Sequence, residues 1–416
     1  MTERFPTCDL GEVGELYDSL HQTPQYAEEG YPMIRVTDIR RGFVETKGAV
    51  RVDEETYLQF SKKHKPQVGD ILFSRVGSYG NSSYVNRSEE FCLGQNTVCI
   101  SPEKSRIEPY FLYCSLNSDD LRHQIESLVG GASQGTISLK SIRKLQVPTP
   151  PLSVQRRIAG ILSAYDELTE NNQRRIKILE EMARSLYREW FVHFRFPGHE
   201  KVKLVSSSLG DIPQGWEVKK LADVAAVNRA QINARTAPEE LHYIDISSVS
   251  PGQIQTITTY AFADAPGRAR RIVQHGDVLW SCVRPNRRSH ALVMHPQANT
   301  IASTGFAVLT AKTVPFTFLC AATTTDDFVA YLTNNASGAA YPAVTAAAFE
   351  KAELLIPPPQ LLKTFGGATG PLVEQIHVLH QAIQNLRQTR DLLLPKLLSG
   401  VQVTREKAVS SVTHAA

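Results

Sequence analysis

The sequence is poor in cysteine, and its cysteines are not arranged to hold a metal. Six occur in 416 residues. Cys8, Cys92, Cys99, Cys114, Cys282 and Cys320 form no C-x-x-C pair and no zinc-type spacing with histidine, so they read as small, reduced core residues and no metal site is expected. Long hydrophobic runs are missing too: no stretch reaches the roughly 18 apolar residues that a membrane-spanning helix needs. The N-terminal segment MTERFPTCDLGEVGEL lacks the basic head and apolar block of a secretory signal, so a cytoplasmic chain with no membrane partner is expected. An excess of one charge is absent as well. The formal net charge is +3 and the pI about 8.4, so no global field recruits a polyanion, and any nucleic acid must be held by local patches or with help.

Catalytic signatures are equally scarce. There is no G-x-x-x-x-G-K-[ST], no H-E-x-x-H and no G-x-S-x-G, which excludes the usual phosphate loop, zinc-protease helix and nucleophile elbow. A self-contained methyltransferase would also need a methyl-donor loop and an [N/D/S]-P-P-[F/Y] tetrapeptide, and neither occurs. FGGATG at 365–370 follows a proline-rich break without a preceding strand and reads as a hinge rather than a nucleotide loop. Asp211, Glu217 and Lys219 have the residue types of a metal-dependent nuclease, but they flank IPQGWEV, where an exposed turn feeding a strand is the plainer reading. His242, His275 and His295 have no partners at ligand spacing and read as solvated.

A duplication is what the chain does contain. GDILFSRVG at 69–77 is echoed by GDVLWSCVR at 276–284, with Asp277 lying 207 positions after Asp70. The same offset carries Lys144 onto Lys351, Pro150-Pro151 onto Pro357-Pro358, and Ile176, Leu179 and Leu186 onto Ile383, Leu386 and Leu393. A chain of this length exceeds the roughly 250–300 residues of a single core. Each half reads in one order: short β-branched and aromatic runs with some helix, as in PYFLYCSLNSDDLRHQIESL, then a proline stop, then a long helix.

The helices give the clearest periodicity. With Ile158 at heptad position a, Tyr165, Asn172, Leu179 and Leu186 share that column, and Ile161, Leu168, Arg175, Met182 and Glu189 fill d. No glycine or proline interrupts 161–194, which permits a rod of roughly 60 Å. In the second copy Ile376, Ile383, Arg390 and Leu397 occupy a, and Leu372, Leu379, Leu386 and Leu393 occupy d, with Pro395 and Gly400 marking a fraying end. One amphipathic stripe usually covers its own domain. Two at matching places favour a spacer or dimerising rod whose seams bury each other. The expected spacer-helix interface is Ile158, Ile161, Tyr165, Leu168, Leu179, Met182 and Leu186 against Ile376, Leu379, Ile383, Leu386 and Leu393.

The segment PPLSVQRRIAGILSAYDELTENNQRRIKILEEMARSLYREWFVHF resembles the central region of the specificity subunits of type I restriction-modification enzymes, where a proline pair and QRRIA introduce a long helix ending in WF. RDLLLPKLLSG at 390–400 resembles that family's C-terminal helix end, and IPQGWEVKKLADV the start of its target-recognition domains. The resemblance implies an α+β fold: two tandem-repeated mixed α/β target-recognition domains joined by two long antiparallel coiled-coil helices. The expected boundaries are 1–150 for the first recognition domain, 151–196 for the central spacer helix, 197–356 for the second domain, 357–402 for the C-terminal spacer helix and 403–416 for a flexible tail. It further implies a non-catalytic subunit that reads a bipartite, asymmetric target in double-stranded DNA, one half per domain, with the helices as a ruler. Its partners are then two methyltransferase subunits bringing S-adenosylmethionine and motor-nuclease subunits bringing ATP and Mg²⁺, with no cofactor bound by this chain.

Base readout needs forked donors on loops held by a rigid scaffold. The loop after the first echo offers Arg75, Ser78, Tyr79 and Asn81. The loop after the second offers Arg284, Asn286, Arg287 and Arg288, with His290 following. The glycine-rich stretches GGASQGTIS (130–138) and NNASGAAYPAVT (334–345) stand at matching places and either contact the DNA backbone or turn the chain. The competing readings are a self-contained DNA methyltransferase or nuclease and a coiled-coil scaffold without DNA contact.

Overall fold

In a computed structural model of the chain, residues 5–130, 135–338 and 341–399 are described. The chain divides into two units, one formed by residues up to Asn171 together with those from Ala382, the other by Asn172–Gln381. Among the described residues no helix is long and apolar enough to cross a membrane.

The echoed turn explains how each unit begins its core. Gly69 and Gly276 have φ of +103° and +84°, a region that side chains with a Cβ avoid. The following aspartates turn inward. Asp70 is 3% exposed and Asp277 1%, and each carboxylate accepts a hydrogen bond from the backbone N–H three residues back, Gln67 at 2.8 Å and Gln274 at 2.9 Å. The turn thereby delivers a wholly buried strand, Ile71–Ser74 in unit 1 and Val278–Ser281 in unit 2.

Each strand is central in a four-stranded antiparallel sheet of the same order. In unit 1 that order is Gly14–Asp18, Thr97–Pro102, Ile71–Ser74, Ser82–Tyr84; in unit 2 it is Ala225–Val227, Phe306–Ala311, Val278–Ser281, His290–Leu292. A second sheet accompanies each, with three strands in unit 1 and four in unit 2, and each contains one parallel pairing. Short helices such as Pro109–Leu116 and Phe316–Thr323 cover the sheet face. Phe73, Phe111 and Ile100 anchor the core of unit 1, and Trp280, Phe318 and Phe349 that of unit 2. The ends of each globular part pair as antiparallel strands, Thr7–Asp9 with Gln146–Pro148 and Glu217–Lys220 with Glu353–Ile356.

Two long helices follow these pairs, Leu152–Tyr187 and Pro359–Leu398. The first does not run on as α-helix to residue 194. It ends at Tyr187 in a π-helical turn, Arg188–Val192, which drives Phe191 of the WF phrase into the core of unit 2, with ring centroids 5.1 Å from Phe318 and 4.9 Å from Phe365. FGGATG is not a hinge but part of the second long helix. Phe365 and Thr369 are 1% exposed, and Gly366 packs so close to Pro315 that an added Cβ would stand only 3.0 Å from its ring.

The seam of the first helix is turned from the expected column. Ile158 is buried, and Tyr165, Leu179 and Leu186 are partly buried, but Ile161, Leu168 and Met182 are 37%, 51% and 52% exposed. The buried column contains Gln155, Leu162, Thr169 and Ile176 instead. The pattern misled because its polar members have internal partners. Gln155 accepts from the Glu108 N–H at 2.8 Å and donates to the Pro150 carbonyl at 2.7 Å, and Thr169 donates to the Tyr165 carbonyl at 2.8 Å. Asp166 accepts from Tyr110 and pairs with Arg390 of the second helix inside unit 1, where the two side chains are 9% and 12% exposed. Burial works against the Arg390 charge, but Asp166 and Asp391 together outweigh it and raise the guanidinium pKa. On the second helix Leu379 and Ile383 are buried, and Ile376, Leu386 and Leu393 partly so.

Candidate nucleic-acid interface

In both units the loop leaving the buried strand is zipped to the glycine-rich loop before the last short helix. Val76 bridges Thr136 and Val283 bridges Ala343, both pairs separated by the 207-residue repeat. The backbone bonds repeat with them: Gly77 N–H donates to Gly135 at 3.1 Å and Arg284 N–H to Pro342 at 2.8 Å, while Ile137 N–H donates to Arg75 at 3.0 Å and Val344 N–H to Cys282 at 2.8 Å. A rigid sheet therefore presents two joined loops in each unit. Residues 131–134 and 339–340 of these loops lie outside the described residues.

The side chains on this common frame differ. In unit 1 Arg75 turns back: its Nη1 meets Asp18 at 2.7 Å, its Nε donates to the Ile137 carbonyl at 3.2 Å, and its side chain is only 14% exposed. Arg75 braces the loop and does not face solvent, a correction to its expected place among the DNA-contacting residues. Charge complementarity with an acid 57 residues away captured it. Ser78 is exposed, with its carbonyl engaged by the Ser74 hydroxyl. Tyr79 is partly buried on the core and lies where Gly135 leaves room for it. Asn81 is partly buried, and its carbonyl accepts from the Ser74 N–H at 2.9 Å.

Unit 2 turns its basic residues outward. Pro285–Arg287 form one 3₁₀ turn between Arg284 at φ +52° and Arg288 at φ +55°, a conformation that costs a non-glycine residue of order 1–3 kcal/mol and that functional loops commonly carry. Asn286 and Arg287 are exposed. Arg284 stacks over Tyr341 with its guanidinium carbon 4.6 Å from the ring centre, and Tyr341 is 70% exposed. Arg288 pairs with Asp326. Beneath them His290 stacks on Trp280 at 4.9 Å, and burial lowers its pKa below the ordinary imidazole value. Tyr341 escaped the sequence reading because its loop was noticed for glycine; an aromatic among small residues was the available signal.

The nuclease-like trio does not assemble. Asp211 sits in the hairpin Leu204–Ser207/Gly210–Pro213, and Glu217 is paired with Lys219 at 2.7 Å. The histidines are less scattered than the sequence implied: His242 meets Thr259 at 3.0 Å, whereas His275 and His295 stand together beside Glu374.

Comparisons with known proteins bear on this arrangement. Residues 3–181 match the family described as Type I restriction modification DNA specificity domain. A Methanocaldococcus jannaschii protein named as the MjaX type I restriction enzyme specificity subunit is 30% identical over 239 residues, 53% of this chain and 55% of that protein. The MjaIX specificity subunit of the same organism is 22% identical over 94% of this chain and 91% of its own length. In fold, the chain is similar to the crystal structure of a type I restriction-modification S subunit from M. genitalium, with a TM-score of 0.60, 17% identity and coverage of 95% and 96% of the two chains.

Proposed function

We propose that this chain is a specificity subunit of the type I restriction-modification kind and that each of its units reads one half of a bipartite, asymmetric DNA target. The observation that carries this reading is the loop pair described above: one backbone frame, repeated at 207 residues, with different side chains on it. Scaffold repetition with variable loop chemistry is what two unlike half-sites demand, because base edges are distinguished by donor and acceptor pattern. Arg284, Asn286, Arg287 and Tyr341 supply forked donors, an amide and a stacking face in unit 2. Ser78 and its neighbours supply hydroxyl and amide groups in unit 1.

The long helices act as an antiparallel coiled-coil ruler between the half-sites and dock two methyltransferase subunits. Support comes from apolar side chains that the helices leave uncovered, among them Ile161 and Leu168 in unit 1 and Ile178, Met182 and Val378 in unit 2, 37–60% exposed. In this reading the chain is non-catalytic and acts in the cytoplasm. S-adenosylmethionine enters with the methyltransferase subunits, and ATP and Mg²⁺ with motor-nuclease subunits. Partners that share phosphate neutralisation also account for a net charge of only +3, since phosphate contacts dominate affinity.

The test is to combine the purified chain with its cognate methyltransferase subunit and S-adenosylmethionine and to sequence DNA for newly methylated positions. A two-part motif that requires this chain is the expected result. Methylation by the chain alone would overturn its non-catalytic role, and methylation independent of it would overturn DNA reading.

A further inference from the structure

Unit 2 gathers ligand-type side chains from three separate segments. His275 stands just before the Gly276 turn, His295 follows the strand His290–Leu292 at φ +43°, and Glu374 lies on the second long helix. One ligand atom from each lies within 4.8 Å of the others. His295 Nε2 is 2.9 and 3.1 Å from the two Glu374 oxygens. The His275 and His295 rings are 4.4 Å apart, and the His377 ring, one turn beyond Glu374, is 5.4 Å from that of His295.

An ion pair does not account for this grouping. His295 and Glu374 are 54% and 44% exposed, and pairs so open contribute little to stability. One carboxylate also has no use for three imidazoles. Unit 1 shows what an ordinary fastening looks like at the corresponding place. There Arg87 of the loop pairs with Glu170 of the first long helix, to which Asn86 also donates at 3.3 Å. By the repeat, His295 replaces Arg87 to within one residue, His377 replaces Glu170, and His275 replaces Val68. Unit 2 has exchanged one fixed ion pair for a set of nitrogen and oxygen donors.

We propose that His275, His295 and Glu374 form a binding site for a divalent transition-metal ion of zinc type, with His377 in the fourth position. Imidazole with one carboxylate suits zinc, whereas Mg²⁺ and Ca²⁺ select all-oxygen sets. Glu374 and His377 are spaced i, i+3 on one helix face, the spacing by which helices present paired metal ligands. Donors around tetrahedral zinc lie roughly 3.3 Å apart, given bonds of about 2.0–2.1 Å, so the exposed rings close on the ion by side-chain rotation. His275 and His295 also line a groove of about 730 Å³, which gives a hydrated ion its path in. The bound ion ties a loop of unit 2 to the second helix.

The test uses the full chain, free of any polyhistidine tag and stripped with chelator, titrated with Zn²⁺ by calorimetry and with Co²⁺ by visible absorption. The expected result is one equivalent per chain, tetrahedral cobalt bands without a thiolate charge-transfer band, and higher resistance of unit 2 to urea with Zn²⁺ present. His275→Ala and His295→Ala each weaken Zn²⁺ binding by more than about tenfold, a loss that even a ligand's outer partners cause. Both positions are exposed, so these variants fold. The proposal is overturned if the wild-type chain binds no Zn²⁺, if the double variant binds it equally well, or if cobalt reports thiolate ligation, which moves the site to Cys99 with His64 and Asp70.

Discussion

In unit 1 the strand Ile71–Ser74 is followed at once by an arginine that folds back onto Asp18 at 2.7 Å. In unit 2 the equivalent strand Val278–Ser281 is followed by Cys282, and the arginines come later, on a turn bounded by two left-handed residues. The backbone bonds that hold the two loops correspond one for one. What differs is where charge is spent: inside the fold in one copy, at its surface in the other. A repeated frame thus constrains where a loop stands but not which of its side chains remain available to a ligand.

The comparison can be broken in four ways. The largest effect is expected from Arg284→Ala with Arg287→Ala, which weakens binding to the cognate site at least about thirtyfold if each contact is worth about 1–3 kcal/mol. Fluorescence anisotropy on a duplex carrying the methylated motif measures it, and unchanged affinity would remove this loop from the interface. Next, Asp166→Leu leaves the buried Arg390 with only the half-exposed Asp391 at 2.9 Å and costs unit 1 up to about 3–5 kcal/mol, most of it regained on adding Arg390→Met. Hydrogen exchange of peptides from Thr97–Pro102 and Pro109–Leu116 reports that change, and a double variant no better than the single would refute it.

Arg75→Ala is expected to cost unit 1 about 1.5–3 kcal/mol through its lost charged hydrogen bonds, while changing DNA affinity less than the unit 2 variants do; the reverse order would return Arg75 to the interface. The smallest effect is one of pH. Burial lowers the His290 pKa from its ordinary 6.5, so the unfolded chain takes up the proton first. The stability this contributes to unit 2 is complete above pH 6.5 and is lost as the pH falls through the folded-state value. Trp190, Trp216 and Trp280 all lie in unit 2, so urea unfolding followed by tryptophan emission isolates it. His290→Gln should weaken the dependence, His377 and His380 keeping their own part of it, and unit 1 lacks it at this place because Ser82 holds the matching position in the strand register.

Much of the frame was legible because it rests on local chemistry. A glycine that must turn, an aspartate that caps the turn and an apolar run that follows them were enough to find both copies and their order. The helix seam was only half legible. Gln155, Asp166 and Thr169 are polar and buried, and periodicity assigns such residues to the surface unless their partners are known. Asp166 finds Arg390 at a separation of 224 residues. The site was least legible for the same reason. Arg75 and Arg287 look alike in sequence, and only Asp18, far back in the chain, tells them apart. His275, His295 and Glu374 likewise meet only once the strands and the long helix are in place.

The strand pairs that close each globular part, Thr7–Asp9 with Gln146–Pro148 and Glu217–Lys220 with Glu353–Ile356, bear on how such a chain changes over time. When the first and last strands of a folded part lie side by side, that part can be lifted out and another inserted with two joints and no rerouting of the chain. Each globular part is in this sense a cartridge. A single crossover in the long helices, or an exchange between the paired strands, replaces one part and leaves the other as it was.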